Sequence, residues 1–445
     1  MGIDLFRNFF NRHKLSSVMN RIWLLFLFVG LALLSCNVPR QTSANKAPGK
    51  KETDVKNNGE EKQSRRDTAV ADHNKGEQPK EEVPKEHKNP EEKQRRKELL
   101  NVAVALPMDG SYDAGRFADF INGMTLASRE NTPGKGYVKI SAVNVGNLNS
   151  EDELLRNGAI RNADVLAGGF QTSQVRALAK IAKDKRAPYL SLWNTSEGIV
   201  SDNPMYIQLK PSLSAYCNTL ANYVAKEMRP DMVYILLESR DSKDAITLDY
   251  FTSVYTLNKI AYKVIFADQG GEWKSGIGLY NRIVINIPNW ENKSFVTSSL
   301  QQLNALKKGR SITVTGMPQW MDWDQSDFSL FESLALHIPV FNYVDETSMP
   351  VSIFRQIYFD TYNNWPTTEA YYGYDVVQMI RKLSKHLLAG KDFDPVDHLS
   401  GNFFSNYYIK SYKDPNPETG KSVSYYNNSY ITIEKFEGGR FVPVQ

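Results

Sequence analysis

The stretch "LLNVAVALPMDGSYDAGRFADFINGMTLASRE", Leu99 to Glu130, decides the fold class. Its first part is a short apolar run closed by Pro107 and the turn residues "MDGSYD", the pattern of a strand buried in a parallel sheet. Its second part sets Phe117, Phe120, Ile121, Met124 and Leu126 at helical spacing. The same alternation then repeats. "YVKISAVNV" reads as strand, "SEDELLRNGAI" as helix, "ADVLAGG" as strand, "SQVRALAKIAKDK" as helix and "APYLSLW" as strand. This order predicts an α/β layered domain around a parallel sheet.

After a crossover at "MYIQLKPSLS" the alternation resumes, with strands in "DMVYILLES", "AYKVIFAD", "NRIVINIP" and "SITVTGMP" and helices between them. Two consecutive α/β units predict two doubly wound lobes. One larger sheet is the alternative, since periodicity does not count sheets.

Upstream, the character changes. Asn37 to Lys97 has no aromatic residue, and its only aliphatic residues larger than alanine are Val38, Val55, Val70 and Val83. Such a segment buries too little apolar surface to offset the entropy of ordering it, so it is expected to be disordered. As a coil it would span roughly 40 to 50 Å. A helix in its last third is opposed by Pro79, Pro84 and Pro90. Before it stands "LLFLFVGLALLSCNVPR", Leu24 to Arg40. The uncharged run Ile22–Leu34 is thirteen residues, short of the roughly 20 that cross a bilayer as a helix. With Arg21 before it and small residues after it, the run has the order of a secretory signal. Met19 offers a second start with a complete signal of its own.

Composition limits the functions. The chain has 445 residues, a net charge of +4, six histidines and two cysteines. The charge argues for neither nucleic acid nor a strongly anionic partner. No spacing of cysteine and histidine suggests a metal site, and no cofactor is expected. Cys217, in a helical-looking stretch, reads as a buried structural thiol. GxSxG, HExxH and Walker loops are absent from the sequence, so no enzyme is expected. Asp322 and Asp324, beside Trp320 and Trp323, could imitate a glycosidase pair, but at that spacing they fit helix capping better.

Two resemblances follow from quoted residues. "LLSC", Leu33 to Cys36, resembles the lipobox of bacterial lipoproteins, which implies cleavage before Cys36 and acylation of its thiol. The following "NVPRQTS" has no Asp at the second position, which by the same resemblance implies the periplasmic face of the outer membrane, with inner-membrane anchoring as the alternative. The late segment "PVFNYVDETSMPVSIFRQIYFDTYNNWPTTEAYYGYDVVQMIRKLSKHLLAGKDF", Pro339 to Phe393, gives a strand, an aromatic-rich helix, a break at Pro366 and a helix centred on Tyr374-Asp375. Together with the opening strand and helix and the closing "SYITIEKFEGGRFVPVQ", it resembles type 1 periplasmic binding proteins, the fold of leucine/isoleucine/valine-binding proteins and receptor ligand-binding regions. The domains that follow are a signal at 1–35, a lipidated tether at 36–97, lobe 1 at 98–211, lobe 2 at 212–342, a return to lobe 1 at 343–391 and a segment completing lobe 2 at 392–445.

That resemblance places a ligand between the lobes, on loops at the carboxyl ends of strands. Its first-lobe candidates are Ser111, Tyr112, Gly169, Phe170, Gln171, Thr172, Asn194, Thr195 and Ser196. A helix starting near Thr172 would aim free amides at an anion. The second-lobe candidates are Glu238, Ser239 and Arg240, with Trp320 and Asp345 near the cleft or its rim. For each, the competing reading is ordinary capping or turn chemistry. Phe170, Gln171, Trp193 and "ESRDSKDA" depart from the amino-acid binders, so the usual grip on an α-amino acid is incomplete. The expected function is therefore a non-enzymatic, lipid-anchored envelope accessory, similar in outline to lipoprotein activators of peptidoglycan synthases. Its partners would be a cell-wall synthase, an outer-membrane protein complex or a peptidoglycan fragment. The alternative is a solute-binding lipoprotein that captures an amino acid, peptide or other small polar ligand for transport or sensing.

Overall fold

The run Leu99–Leu106 forms β1 and is buried along nearly its whole length, as a strand with helices on both faces must be. The computed structural model describes residues 99–444 apart from 109–113, 131–136, 269–272, 308, 324–326 and 413–423. The signal, Met19, Cys36, the tether, Ser111, Tyr112 and Asp324 lie outside the described residues.

β1 pairs in parallel with β2 (Tyr137–Asn144) from Leu99↔Tyr137 to Leu106↔Asn144, and on its other side with β3 (Val165–Gly168). β4 (Tyr189–Ser191) and β5 (Tyr206–Gln208) extend the sheet. A second sheet uses the same plan: β6 (Met232–Leu237) lies between β7 (Tyr262–Phe266) and β8 (Arg282–Asn286), followed by β9 (Ser311–Thr315) and β10 (His337–Val340). The orders 2-1-3-4-5 and 7-6-8-9-10 are one topology used twice. Each sheet therefore has a switch point, between β1 and β3 and between β6 and β8.

Helices cover both faces. On the first sheet, α1 (Ala114–Arg129) carries Phe117, Phe120 and Met124 into one core layer. α2 (Glu151–Leu155), α3 (Gly158–Arg161) and α4 (Thr172–Lys185) cover the other. The one helix expected across "SEDELLRNGAI" is two, because the Asn157 side chain accepts from the Ala159 amide at 2.9 Å and starts a new one. On the second sheet, α5 (Leu213–Tyr223) and α6 (Leu248–Leu257) bury Cys217, Leu220, Phe251 and Tyr255. Burial pushes the Cys217 thiol well above its usual range, so it stays protonated. α7 (Lys293–Leu306) and α8 (Phe328–Ser333) cover the remaining face. No helix among the described residues is long and apolar enough to cross a membrane.

The chain then returns. α9 (Met349–Tyr362) lies outside α1, with Phe354 and Tyr358 buried beside Leu126. α10 (Thr368–Leu388) crosses α1 at two glycines. A methyl on Gly123 would sit 1.8 Å from the Ala370 carbonyl oxygen, and one on Gly373 would sit 2.0 Å from that of Phe120. Only glycine allows the two backbones to come this close.

The segment expected to complete lobe 2, residues 392–445, is in fact divided between the sheets. After α11 (Pro395–Leu399) and the short pair β11 (Gly401–Asn402) and β12 (Asn406–Tyr407), β13 (Ile409–Tyr412) and β14 (Tyr425–Asn428) join the first sheet, with Tyr426 opposite Ile207 of β5. The cause is Asp375 on α10. Fully buried, its carboxylate accepts from the amides of Phe404 and Ser405 at 2.9 Å each and from the Tyr407 hydroxyl at 3.3 Å. That grip holds the segment against the first lobe. Only β15 (Thr432–Glu437) and β16 (Arg440–Pro443) join the second sheet, turning at Gly438 and Gly439, both with positive φ. The chain thus passes between sheets three times, after β5, after β10 and at residues 429–431. Among the described residues, both sheets and all core clusters belong to one compact unit, Pro84–Gln445.

Replacing Gly373 with alanine forces a methyl into the Phe120 carbonyl and is expected to lower the unfolding free energy by about 3 kcal/mol. Urea denaturation measures this, and a negligible loss would show that the helices can part. Glu434 gives a pH-dependent prediction. It is 3% exposed on β15, opposite Ile338, and burial pushes its carboxyl from 4.5 up to about 7. Between those values the folded chain keeps a proton that the unfolded chain has lost, so this group's contribution to stability falls as pH rises through the window. Glu434→Gln should raise the melting temperature by a few degrees at pH 8 and leave it nearly unchanged at pH 4.5.

Candidate functional site

The carboxyl ends of the strands at the two switch points define where a ligand can sit in such sheets. In the first lobe the described part of that end is largely self-satisfied. Gly168 and Gly169 turn the chain with φ of 96° and 75°, and a methyl on Gly168 would meet the Ala105 carbonyl at 2.2 Å. Gly169 is therefore a backbone requirement. The amides of Phe170 and Gln171 both donate to the Gln174 side-chain carbonyl at 3.1 Å, and its amide nitrogen donates to the Gly146 carbonyl at 2.8 Å. The helix does begin at Thr172, with Gln171 as its N-cap, and the two amides that precede it are bonded within the loop. The Phe170 ring packs edge-on against Phe117, with centroids 5.9 Å apart.

Thr172 and the "LWNTS" loop do meet. The Asn194 side chain donates to the Thr172 hydroxyl at 3.5 Å and accepts from the Ser196 amide at 2.8 Å. Asn194 is buried, Thr195 half-buried and Ser196 exposed. Trp193, the bulky departure, turns away into the core between Phe117 and Phe120, and its indole donates to Glu369 at 3.2 Å. Arg116 pairs with the same carboxylate.

The second lobe has an open recess of about 420 Å³ at its switch point, lined by Glu238, Ser239, Asp241, Ser242, Lys243, Asp244 and residues 289–292. Glu238 follows β6, and Asn289 and Asn292 follow β8. The two asparagines hold Glu238 from both sides, Asn289 on one carboxylate oxygen at 3.0 Å and Asn292 on the other at 2.7 Å. Asp244, 1% exposed, accepts from the Glu238 amide at 3.2 Å and the Asn289 side chain at 3.1 Å, and also bonds the Ser242 hydroxyl. The lining carries the carboxylates of Glu238, Asp241, Asp244 and Glu291 against the one ammonium of Lys243, which pairs with Glu291 at 2.6 Å. This recess favours a cationic group. Among the described residues, no cluster of three His, Cys, Asp or Glu is placed to hold a metal ion.

Three expected residues lie elsewhere. Trp320 is fully buried in the second lobe's core rather than at the rim, stacked on Trp323 at 5.2 Å and packed where only Gly316 leaves room for the ring. Its indole donates to the Asn289 carbonyl at 2.8 Å, so it supports the recess from below. Arg240 lies over the Phe266 ring at 4.4 Å, beside the edge strand, and is not in the lining. Asp345 is exposed, and the Thr347 hydroxyl and amide on its carboxylate, at 2.6 and 2.9 Å, hold its pKa below the usual value. It shapes the turn before α9. Asn289, Asn292 and Asp244 were not singled out from the sequence. The signal for the asparagines was their place just after the strand "NRIVINIP".

Compared with known proteins, the chain matches no protein-family model and no curated protein. Solved structures do match. A substrate-binding protein of an ABC transporter from Desulfitobacterium hafniense, solved in complex with Leu, is 16% identical with a TM-score of 0.53 over 78% of this chain and 100% of that one. Another substrate-binding protein structure from the same organism gives 14% and 0.55 over 78% and 100%. The chain has the type 1 periplasmic binding-protein fold. A third match, a solute binding protein from Rhodopseudomonas palustris BisB5 in complex with 3,4-dihydroxy benzoic acid, is 16% identical with a TM-score of 0.51 over 78% of this chain and 96% of that one. The type 1 fold thus carries both an aliphatic amino acid and an aromatic acid in these neighbours, so the lining residues, not the fold, set the ligand.

Trp320→Phe keeps most of the ring packing but leaves the Asn289 carbonyl without its donor. A loss of about 1 to 2 kcal/mol in denaturant unfolding is expected. An unchanged midpoint would mean that another donor replaces it.

Proposed function

We propose that the protein is a solute-binding protein that takes a small polar molecule bearing a cationic group, an amino acid or short peptide, between its lobes without chemically changing it. The acidic recess at the second switch point carries the proposal. Glu238 is pre-oriented by two asparagines, so binding would cost little reorganisation. Thr172, Asn194, Thr195 and Ser196, which follow β3 and β4 at the corresponding end of the first sheet, would supply a second polar edge, and the three crossings between the sheets the hinge. Cys36 is, in this reading, the lipidated first residue of the mature chain, holding the body by its tether at the periplasmic face of the outer membrane.

The test is the melting temperature of the chain begun at Glu98 against amino acids, short peptides and muropeptides. A saturable rise of several degrees with an amine-bearing solute is expected. Glu238→Gln should weaken that ligand by roughly 10- to 100-fold, the worth of a hydrogen bond to a charged group. A rise with muropeptides alone would instead support the cell-wall accessory reading, and no rise with any solute would overturn the solute-binding one.

A further inference from the structure

The end of the second sheet opposite the recess has a different chemistry. Parallel pairing sets Tyr262 beside Val233, Ile283 beside Met232 and Ser311 beside Arg282, so the connections entering β6, β7, β8 and β9 reach the sheet at one end. Those connections are basic. Lys226 and Arg229 precede β6, Lys259 precedes β7 and Lys263 lies just inside it, and Lys307 and Arg310 precede β9. The acidic residues there are fewer: Glu227, Asp231, which pairs with Arg282 at 3.0 Å, Glu332, which accepts from the Gly439 amide at 3.5 Å, and Glu437, which pairs with Lys435 at 3.1 Å.

Two leucines project from the same end. Leu257, the last residue of α6, is 83% exposed, and Leu279, just before β8, is 90% exposed with Tyr280 beside it. They flank the sheet on opposite faces. α6 buries Phe251 and Tyr255 on one face, whereas the Leu279 loop is pinned to the other by the Gly278 amide on the Tyr234 hydroxyl at 2.7 Å and by Arg310 on the Gly278 carbonyl at 3.3 Å. A single exposed leucine is unremarkable. Two separate ones among exposed lysines have the composition of a surface that enters the headgroup boundary of an anionic bilayer.

We propose that this end of the second lobe docks on an anionic lipid surface, with Leu257 and Leu279 in the headgroup boundary and the lysines and arginines over the phosphates. Two prongs on opposite faces suit a soft surface into which each sinks independently. The recess opens at the other end, so a docked body keeps it accessible.

Co-sedimentation of the chain begun at Glu98 with phosphatidylglycerol-containing vesicles tests this without the N-terminal segment. Binding at low salt, lost at high salt and absent with phosphatidylcholine vesicles, is expected. Lys226→Gln with Lys263→Gln should weaken partitioning by about thirtyfold, since each basic residue near such a surface contributes a factor of about five. Leu257→Ser with Leu279→Ser should weaken it by at least about tenfold with an unchanged melting temperature. No pelleting at low salt would overturn the proposal. So would binding that the lysine pair weakens and the leucine pair leaves intact, which would be electrostatic adsorption without entry into the headgroup boundary.

Discussion

The close crossing of α1 and α10 is the contact on which the first lobe depends. Gly123 and Gly373 each leave room for a backbone carbonyl of the other helix, and the helices meet with no side chain between them at those points. This brings Phe120 against Tyr372 and Trp193, and the Tyr372 hydroxyl onto the Leu192 carbonyl at 2.9 Å. It also positions Asp375, which holds the chain at Phe404 and Ser405 shortly before β13.

The two lobes share a topology but not a chemistry at their switch points. In the described part of the first, Gln174 and the Phe117, Phe120 and Trp193 cluster satisfy the loops internally. In the second, polar side chains organise around a carboxylate and leave space beside it. A duplicated sheet plan thus carries an internally bonded loop after β3 and an acidic recess after β6 and β8.

Much of the fold was legible because buried parallel strands are written as unbroken apolar runs, β1 and β6 above all. β13 and β14 were harder, since "IKSY" and "YYNN" have no such run and their pairing depends on Asp375, distant in sequence. The Tyr374-Asp375 helix was visible as a feature, whereas Gly123 was not, because a glycine's purpose appears only when its neighbour is known. Glu238 was found by the strand-end rule. Asn289 obeys the same rule, but an asparagine just before a helix has the composition of a cap, which Asn292 is for α7. Trp320 beside acidic residues resembled a binding rim, although a large aromatic can as well fill a core.

The division of the last residues between sheets bears on the order in which the molecule can form. Residues 232–340 supply the second sheet's five parallel strands as one continuous stretch, whereas the first sheet needs β14 beside β5 and α10 against α1. Contacts so distant in sequence close slowly, because the long loop between them must first be constrained. During synthesis the amino-terminal half therefore emerges first yet cannot close until α10 and β14 have been made. That delay keeps its aromatic core layer open for as long as the carboxyl end has still to arrive.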